Sequence, residues 1–196
     1  MTDDRTRIEL KDALAMRAYA HPLRLKLVGL LRRQGPQTAT QAAKALGDNV
    51  PNCSFHLRQL AKYGLVERVE GNDNRERPWR ASARSTGWDD AAPLPELRAA
   101  ADHLTASILT TYFEMARTWL QHRQDESIEW RRVTGISDQT LYVTPEEMAG
   151  LQKRLDEALE PFLDRQIDPS SRPEGSRPIN LIQLAMPWED NHDADS

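Results

Sequence analysis

The sequence predicts a mainly α fold with a small β component, on three observations. Apolar residues recur at three-and-four spacing through several stretches, the periodicity of helices buried on one face. Most prolines and glycines fall between those stretches rather than inside them. Residues 65–81 depart from the helical pattern: Leu65-Val66-Glu67-Arg68-Val69-Glu70 has strand character, Gly71-Asn72-Asp73-Asn74 makes a turn, and residues 75–81 return as a second strand.

Taken in order, residues 8–20 are expected as a first helix with Leu10, Leu14, Met16 and Ala18 on its apolar side. His21-Pro22 interrupts it, because the residue before a proline is driven out of helical geometry while proline itself suits a first turn. The next helix carries Leu23, Leu27, Leu30 and Leu31 as its buried stripe and stops near Gly35-Pro36. Arg24, Lys26, Arg32 and Arg33 fall mostly off that stripe, as solvated charges first and phosphate contacts second. Thr38-Ala39 reads as a short strand and Thr40 as the cap of a helix running to Leu46. Gly47 ends that helix in the left-handed conformation a tight turn requires. Pro51 then begins a helix through Tyr63, with Cys53, Leu57, Leu60 and Ala61 inward and Pro51, Asn52, Ser54, Phe55, Arg58, Gln59 and Lys62 outward.

That outward set has the chemistry of a major-groove reader. Asn and Gln pair bidentately with adenine, Arg with guanine, and an aromatic ring meets a thymine methyl; each good bidentate pair discriminates by about 1 to 3 kcal/mol. In the hairpin that follows, Trp79 is expected to anchor the strands on the helices and Pro78 to confine its strand to an edge. Arg75 and Arg77 then project from the tip, beside phosphate or the minor groove. Charge agrees: the balance is 0 over residues 1–20, +6 over 21–80 and −10 over 81–196, a basic module joined to an acidic one.

Residues 20–31 (AHPLRLKLVGLL), the helix pair TATQAAKALGDNVPNCSFHLRQLAKYGLV and the wing VEGNDNRERPWR resemble, in that order, the winged helix-turn-helix domain of ArsR-type bacterial transcriptional regulators. The resemblance covers about the first 80 residues. It implies DNA binding by the helix carrying Ser54, His56 and Arg58, with His56 on phosphate or backbone, and it implies repression. With Thr40 and Gln41 on the preceding helix and Lys62 at the end of the reader, the expected DNA-binding set is Thr40, Gln41, Pro51, Asn52, Ser54, Phe55, His56, Arg58, Gln59, Lys62, Arg75 and Arg77. Metal-sensing relatives carry a cysteine pair on the helix at Thr40 to Leu46, which this sequence lacks. Asp102, His103 and Glu114, and His122 with Asp125 and Glu126, are too sparse for a four-ligand site, so neither metal nor cofactor is expected.

Residues 83–95, with Gly87, Pro93 and Pro95, read as a linker. Beyond it Leu97, Ala101, Leu104, Ile108, Tyr112, Met115 and Trp119 form one long helical stripe that needs a partner. A second subunit, as the resemblance implies, gives a homodimer; packing on the chain's own C-terminal part is the competing arrangement. Residues 128–133, 140–143 and 179–188 are expected as strands around a helix that opens at Thr144-Pro145-Glu146-Glu147 with the stripe Met148, Leu151, Leu155, Leu159 and Phe162. Pro161 is expected to kink or end that helix. The organisation is thus a winged helix-turn-helix over 1–90, a long dimerisation helix over 91–126, a small α+β C-terminal layer over 127–188, and an acidic tail over 189–196.

Several functions are disfavoured. An apolar fraction of 39% and the lack of any run of about 18 apolar residues argue against a membrane span. The polar start MTDDRTR is unlike a secretory signal, so a cytoplasmic protein is expected. Cys53, the single cysteine, cannot make an internal disulfide and is expected to face the core rather than act as a thiol switch; Asn52-Cys53-Ser54 matches a glycosylation pattern by chance. Trp130, Tyr142 and Trp188 offer material for a pocket, including one for a small-molecule effector, yet no nucleophile-base spacing or phosphate loop accompanies them and no enzyme is expected. The remaining alternative is a protein- or ligand-binding module that keeps the fold without specific DNA binding.

Overall fold

Side-chain caps set where most helices begin in the computed structural model, which describes residues 7–70, 77–167 and 169–187. α1 (Ala13–Tyr19) starts at Asp12, whose carboxylate accepts from the Ala15 amide at 2.8 Å. α2 (Pro22–Gln34) starts at His21, whose Nδ1 accepts from the Leu23 amide at 3.2 Å, and ends at Gly35. At α3 (Ala39–Leu46) the Gln41 side chain accepts from the Thr38 amide at 2.8 Å while the Thr38 hydroxyl accepts from the Gln41 amide at 3.2 Å. This capping box makes Thr38 the cap in place of the expected Thr40, and Ala39 is already helical. α4 (Val50–Lys62) is capped by Asn49, with Gly47 at φ 65° opening the turn before it. Each such cap stabilises by about 1 kcal/mol.

The N-terminal stretch departs from expectation. Residues 7–10 form a strand, β1 (Arg7–Leu10), which lies parallel to β4 (Ser85–Trp88) with Arg7 opposite Ser85 and Leu10 opposite Trp88. Ile8 and Leu10 alternate inward there, and the helix waits for the Asp12 cap. Leu14, expected on the apolar side, is 62% exposed in consequence. The same pairing places a strand inside the expected linker, where Ala83 and Gly87 are buried. Arg32 helps hold this region, donating to the Ala83 carbonyl at 3.0 Å and to the Thr86 hydroxyl at 2.8 Å, so it is no free solvated charge.

In the wing, β2 (Val66–Arg68) pairs antiparallel with β3 (Trp79–Ala81). Glu67 faces Arg80 across the pair and joins it at 2.8 Å. Trp79 is buried, as its anchoring role requires. Its amide donates to the Gln37 carbonyl at 2.8 Å and its carbonyl accepts from the Gln37 amide at 2.9 Å. β3 therefore lies between Gln37 and β2 rather than at an edge. Pro78 is accommodated because it precedes the strand and offers only its carbonyl, to the Val69 amide at 2.9 Å. The turn at 71–74 and Arg75 lie outside the described residues.

One core unites these parts. Met16, Leu27, Val28, Cys53, Leu57, Leu60, Leu65 and Val66 are sealed from solvent, and Leu104 joins them from α5 (Pro95–His122). Ala100 and Ala101 let α5 approach α1 and α2 closely. The stripe on α5 thus divides: Ala101 and Leu104 in its first half are buried in the N-terminal core, while in its second half Tyr112 is exposed and Met115 and Trp119 are half-buried, with Phe113 and Leu120 open beside the stripe.

The C-terminal part is helical where it is regular. Residues expected as a strand form α6 (Ile128–Val133), with Glu129 in its first turn and Arg131 and Arg132 in its last, charges that favour the helix dipole. α7 (Pro145–Ile167) opens on the expected capping box, Glu147 accepting from the Thr144 amide at 2.8 Å and Thr144 accepting from the Glu147 amide at 3.2 Å. The helix continues through Pro161 instead of ending there. Residues 140–143 and 179–187 form no strand. Trp188 and the acidic tail lie outside the described residues.

Candidate nucleic-acid interface

The periodicity of α4 sorts its side chains. Cys53, His56, Leu57 and Leu60 face the core, and Pro51, Phe55, Arg58 and Lys62 are exposed, with Asn52, Ser54 and Gln59 partly so. Asn52 is oriented from below: its side-chain amide donates to both carboxylate oxygens of Asp48, at 3.1 and 3.2 Å. That donation, together with one from the Asn49 amide at 2.7 Å, holds the Asp48 carboxyl below its ordinary pKa. Asn52 is thereby fixed with its amide group spent locally. On α3, Thr40 and Gln41 are exposed, though the Gln41 oxygen is engaged in capping.

His56 sits differently from the rest of the expected set. It is 8% exposed, its ring lies 4.3 Å from that of His21, and its Nδ1 has no hydrogen-bond partner. Burial, then the neighbouring His21 and Arg24, lowers its pKa, which favours the neutral ring. Burial and Arg24 lower that of His21 in the same way.

Between α4 and the wing lies a cationic cluster with a member the sequence reading missed. Arg68 on β2 stacks over the Trp79 ring at 3.9 Å and donates to the Arg77 carbonyl. Its pKa is lowered by burial and then by the charges of Arg77 and Arg58. Repulsion among three guanidinium groups is what an anion placed between them relieves. The signal for Arg68 was present: antiparallel pairing sets it directly across from Trp79, the residue expected to anchor the hairpin. Arg58 and Arg77 are both exposed; Arg75 is outside the described residues.

Residues 19–69 match the helix-turn-helix domain family. The match runs from the end of α1 through β2, taking in α2, α3, α4 and the first wing strand. Among curated proteins none matches the chain. Among solved structures, the homodimeric winged helix-turn-helix DNA-binding domain of a possible ArsR-family transcriptional regulator from Mycobacterium bovis is 23% identical, covering 50% of this chain and 78% of that one at a TM-score of 0.33. A protein described as a transcriptional regulator is 15% identical over 76% of this chain and 88% of its own, TM-score 0.32. A MarR family transcription regulator is 17% identical over 79% and 74%, TM-score 0.26. Likenesses this distant add nothing to the helix-turn-helix. Among the described residues no helix is long and apolar enough to cross a membrane, and no three His, Cys, Asp or Glu side chains gather as a metal site.

Proposed function

We propose that this chain is a sequence-specific, double-stranded-DNA-binding transcriptional regulator of the ArsR-like winged type, working in the cytoplasm as a homodimeric repressor without a metal sensor. The observation that carries the reading is the Arg58, Arg68 and Arg77 cluster, which joins the exposed face of the second helix of the helix-turn-helix to the wing. α4 enters the major groove with Arg58 and Gln59 on base edges and Phe55 against a thymine methyl. Thr40, Gln41, Lys62 and the wing arginines Arg68, Arg75 and Arg77 hold phosphate or the minor groove and fix the register. Asn52 and Ser54 sit at the start of α4, where groove-reading helices make their first base contacts. The second half of α5 pairs two copies, presenting two readers to half-sites about 34 Å apart. Repression follows because a dimer seated on a promoter excludes polymerase without any further contact.

The test is selection from a random duplex library, followed by binding titrations of the selected site over a range of salt. A two-fold symmetric site, bound with an affinity that falls steeply as salt rises, is the expected result. Failure to bind any duplex at low salt overturns the reading and leaves an interaction module on a helix-turn-helix scaffold.

A further inference from the structure

Residues 127–187 behave unlike the rest of the molecule. None of their described side chains is buried, although they include a 23-residue helix with a regular apolar stripe. Tyr142 is 97% exposed, and Ile136, Leu181, Leu184 and Met186 also lie open. Among the described residues α7 makes no extended packing contact beyond the short turn that follows it, and Leu141, Val143 and Leu151 line an open groove of ≈ 520 Å³ along it. Among the described residues no backbone hydrogen bond joins 135–143 or 177–187 to a neighbouring segment. Two extended, apolar stretches with free backbone groups are templates for strand pairing. A helix in this condition gains its stability from whatever covers its apolar face.

The size of the surface is sufficient to seat a second copy. A compact chain of 22.3 kDa exposes about 9,400 Å². The 196-residue chain exposes 14,819 Å² in all, about 5,400 Å² beyond that value, a sum that also counts the 22 residues outside the described ones. Obligate dimers bury roughly 2,000 to 5,000 Å² in total, half from each partner, so the excess exceeds what one subunit of such a dimer needs to bury. The open surface also continues, along the chain, from the exposed second half of α5 through Leu120 to Ile128.

We infer that residues 127–187 are an exchanged arm that packs on a second copy of this chain: the apolar stripe of α7 seats on the partner subunit, and the segments at 140–143 and 179–186 acquire strand partners there. The inference rests on the homodimer proposed above and extends its interface beyond α5. Among the described residues the arm meets the N-terminal part of its own chain through surface charges. Arg84 pairs with Asp164 at 3.1 Å and Glu160 at 3.8 Å, and Arg177 returns to Glu126 and stacks on Trp130.

The test uses the full-length chain in a dilution series, combining sedimentation with amide hydrogen exchange. Amides of 140–143 and 179–186 are expected to be protected in the dimer and to exchange freely once dilution separates the copies. L155E and L184E alter side chains exposed within the single chain, so a monomer tolerates them; both are expected to raise the dimer dissociation constant by about tenfold or more. F113E on α5 serves as comparison. If it separates the copies while L155E and L184E leave the dissociation constant unchanged, the arm proposal is overturned and the dimeric regulator stands. Arm amides protected equally at every dilution overturn it too, because the arm then closes on its own chain. A wild-type chain monomeric at every concentration overturns both the arm and the homodimer, while duplex binding reports on the DNA-binding reading separately.

Discussion

In the proposed complex Arg58 and Arg68 ask different things of a duplex. Replacing Arg58 with alanine should cost about 1 to 3 kcal/mol and relax preference at one base position, measurable by competition with single-base variants of the selected site. Replacing Arg68 or Arg77 should weaken binding to every sequence alike and lower the slope of log affinity against log salt by about one unit per lost phosphate contact. The two histidines titrate against stability. Their folded pKa values lie below the unfolded value of about 6.5, so the unfolded chain takes up more protons as pH falls through that point. Stability is therefore complete above about pH 6.5 and is lost as pH falls below it. The melting temperature should drop on acidification from neutral pH, and H56Q should flatten the profile. Spacing alone placed most of these side chains: three and four residues separate Cys53, His56 and Leu60, so His56 belongs to the inward stripe. Its polarity, and the groove role implied by the family resemblance, pointed the other way.

Among the elements, the wing depends on one indole. Trp79 is packed under Arg68 and bonded through its backbone to Gln37, so W79A should destabilise the domain by about 3 to 5 kcal/mol and release both strands, visible as lost amide protection at Val66–Arg68. Gly47 holds φ 65° between α3 and α4, and G47A should cost about 1 kcal/mol in chemical denaturation. The helices of the reading unit were legible because their caps, turn glycine and apolar spacing are local properties. β1 and β4 were not. Each is four residues long, and its partner lies at the far end of the N-terminal domain, so no local pattern announces the pairing. The expected strand at 128–133 failed for a related reason: a short apolar run fits either structure, and the charges at its ends favour the helix.

At the scale of the molecule, the division into a basic front and an acidic rear was countable from residue identities, and the helix-turn-helix lies within the basic part. The open state of the rear was not countable, because an apolar stripe records that a surface needs cover without recording whose. The long α5 lies across this division. Its Ala100, Ala101 and Leu104 are locked into the core beneath the helix-turn-helix, and its other end lies about 27 Å further along the helix axis. A rod clamped at one end acts as a lever. In the homodimer proposed above, a displacement of a few ångströms at that far end would tilt both reading heads together and change their spacing along the duplex.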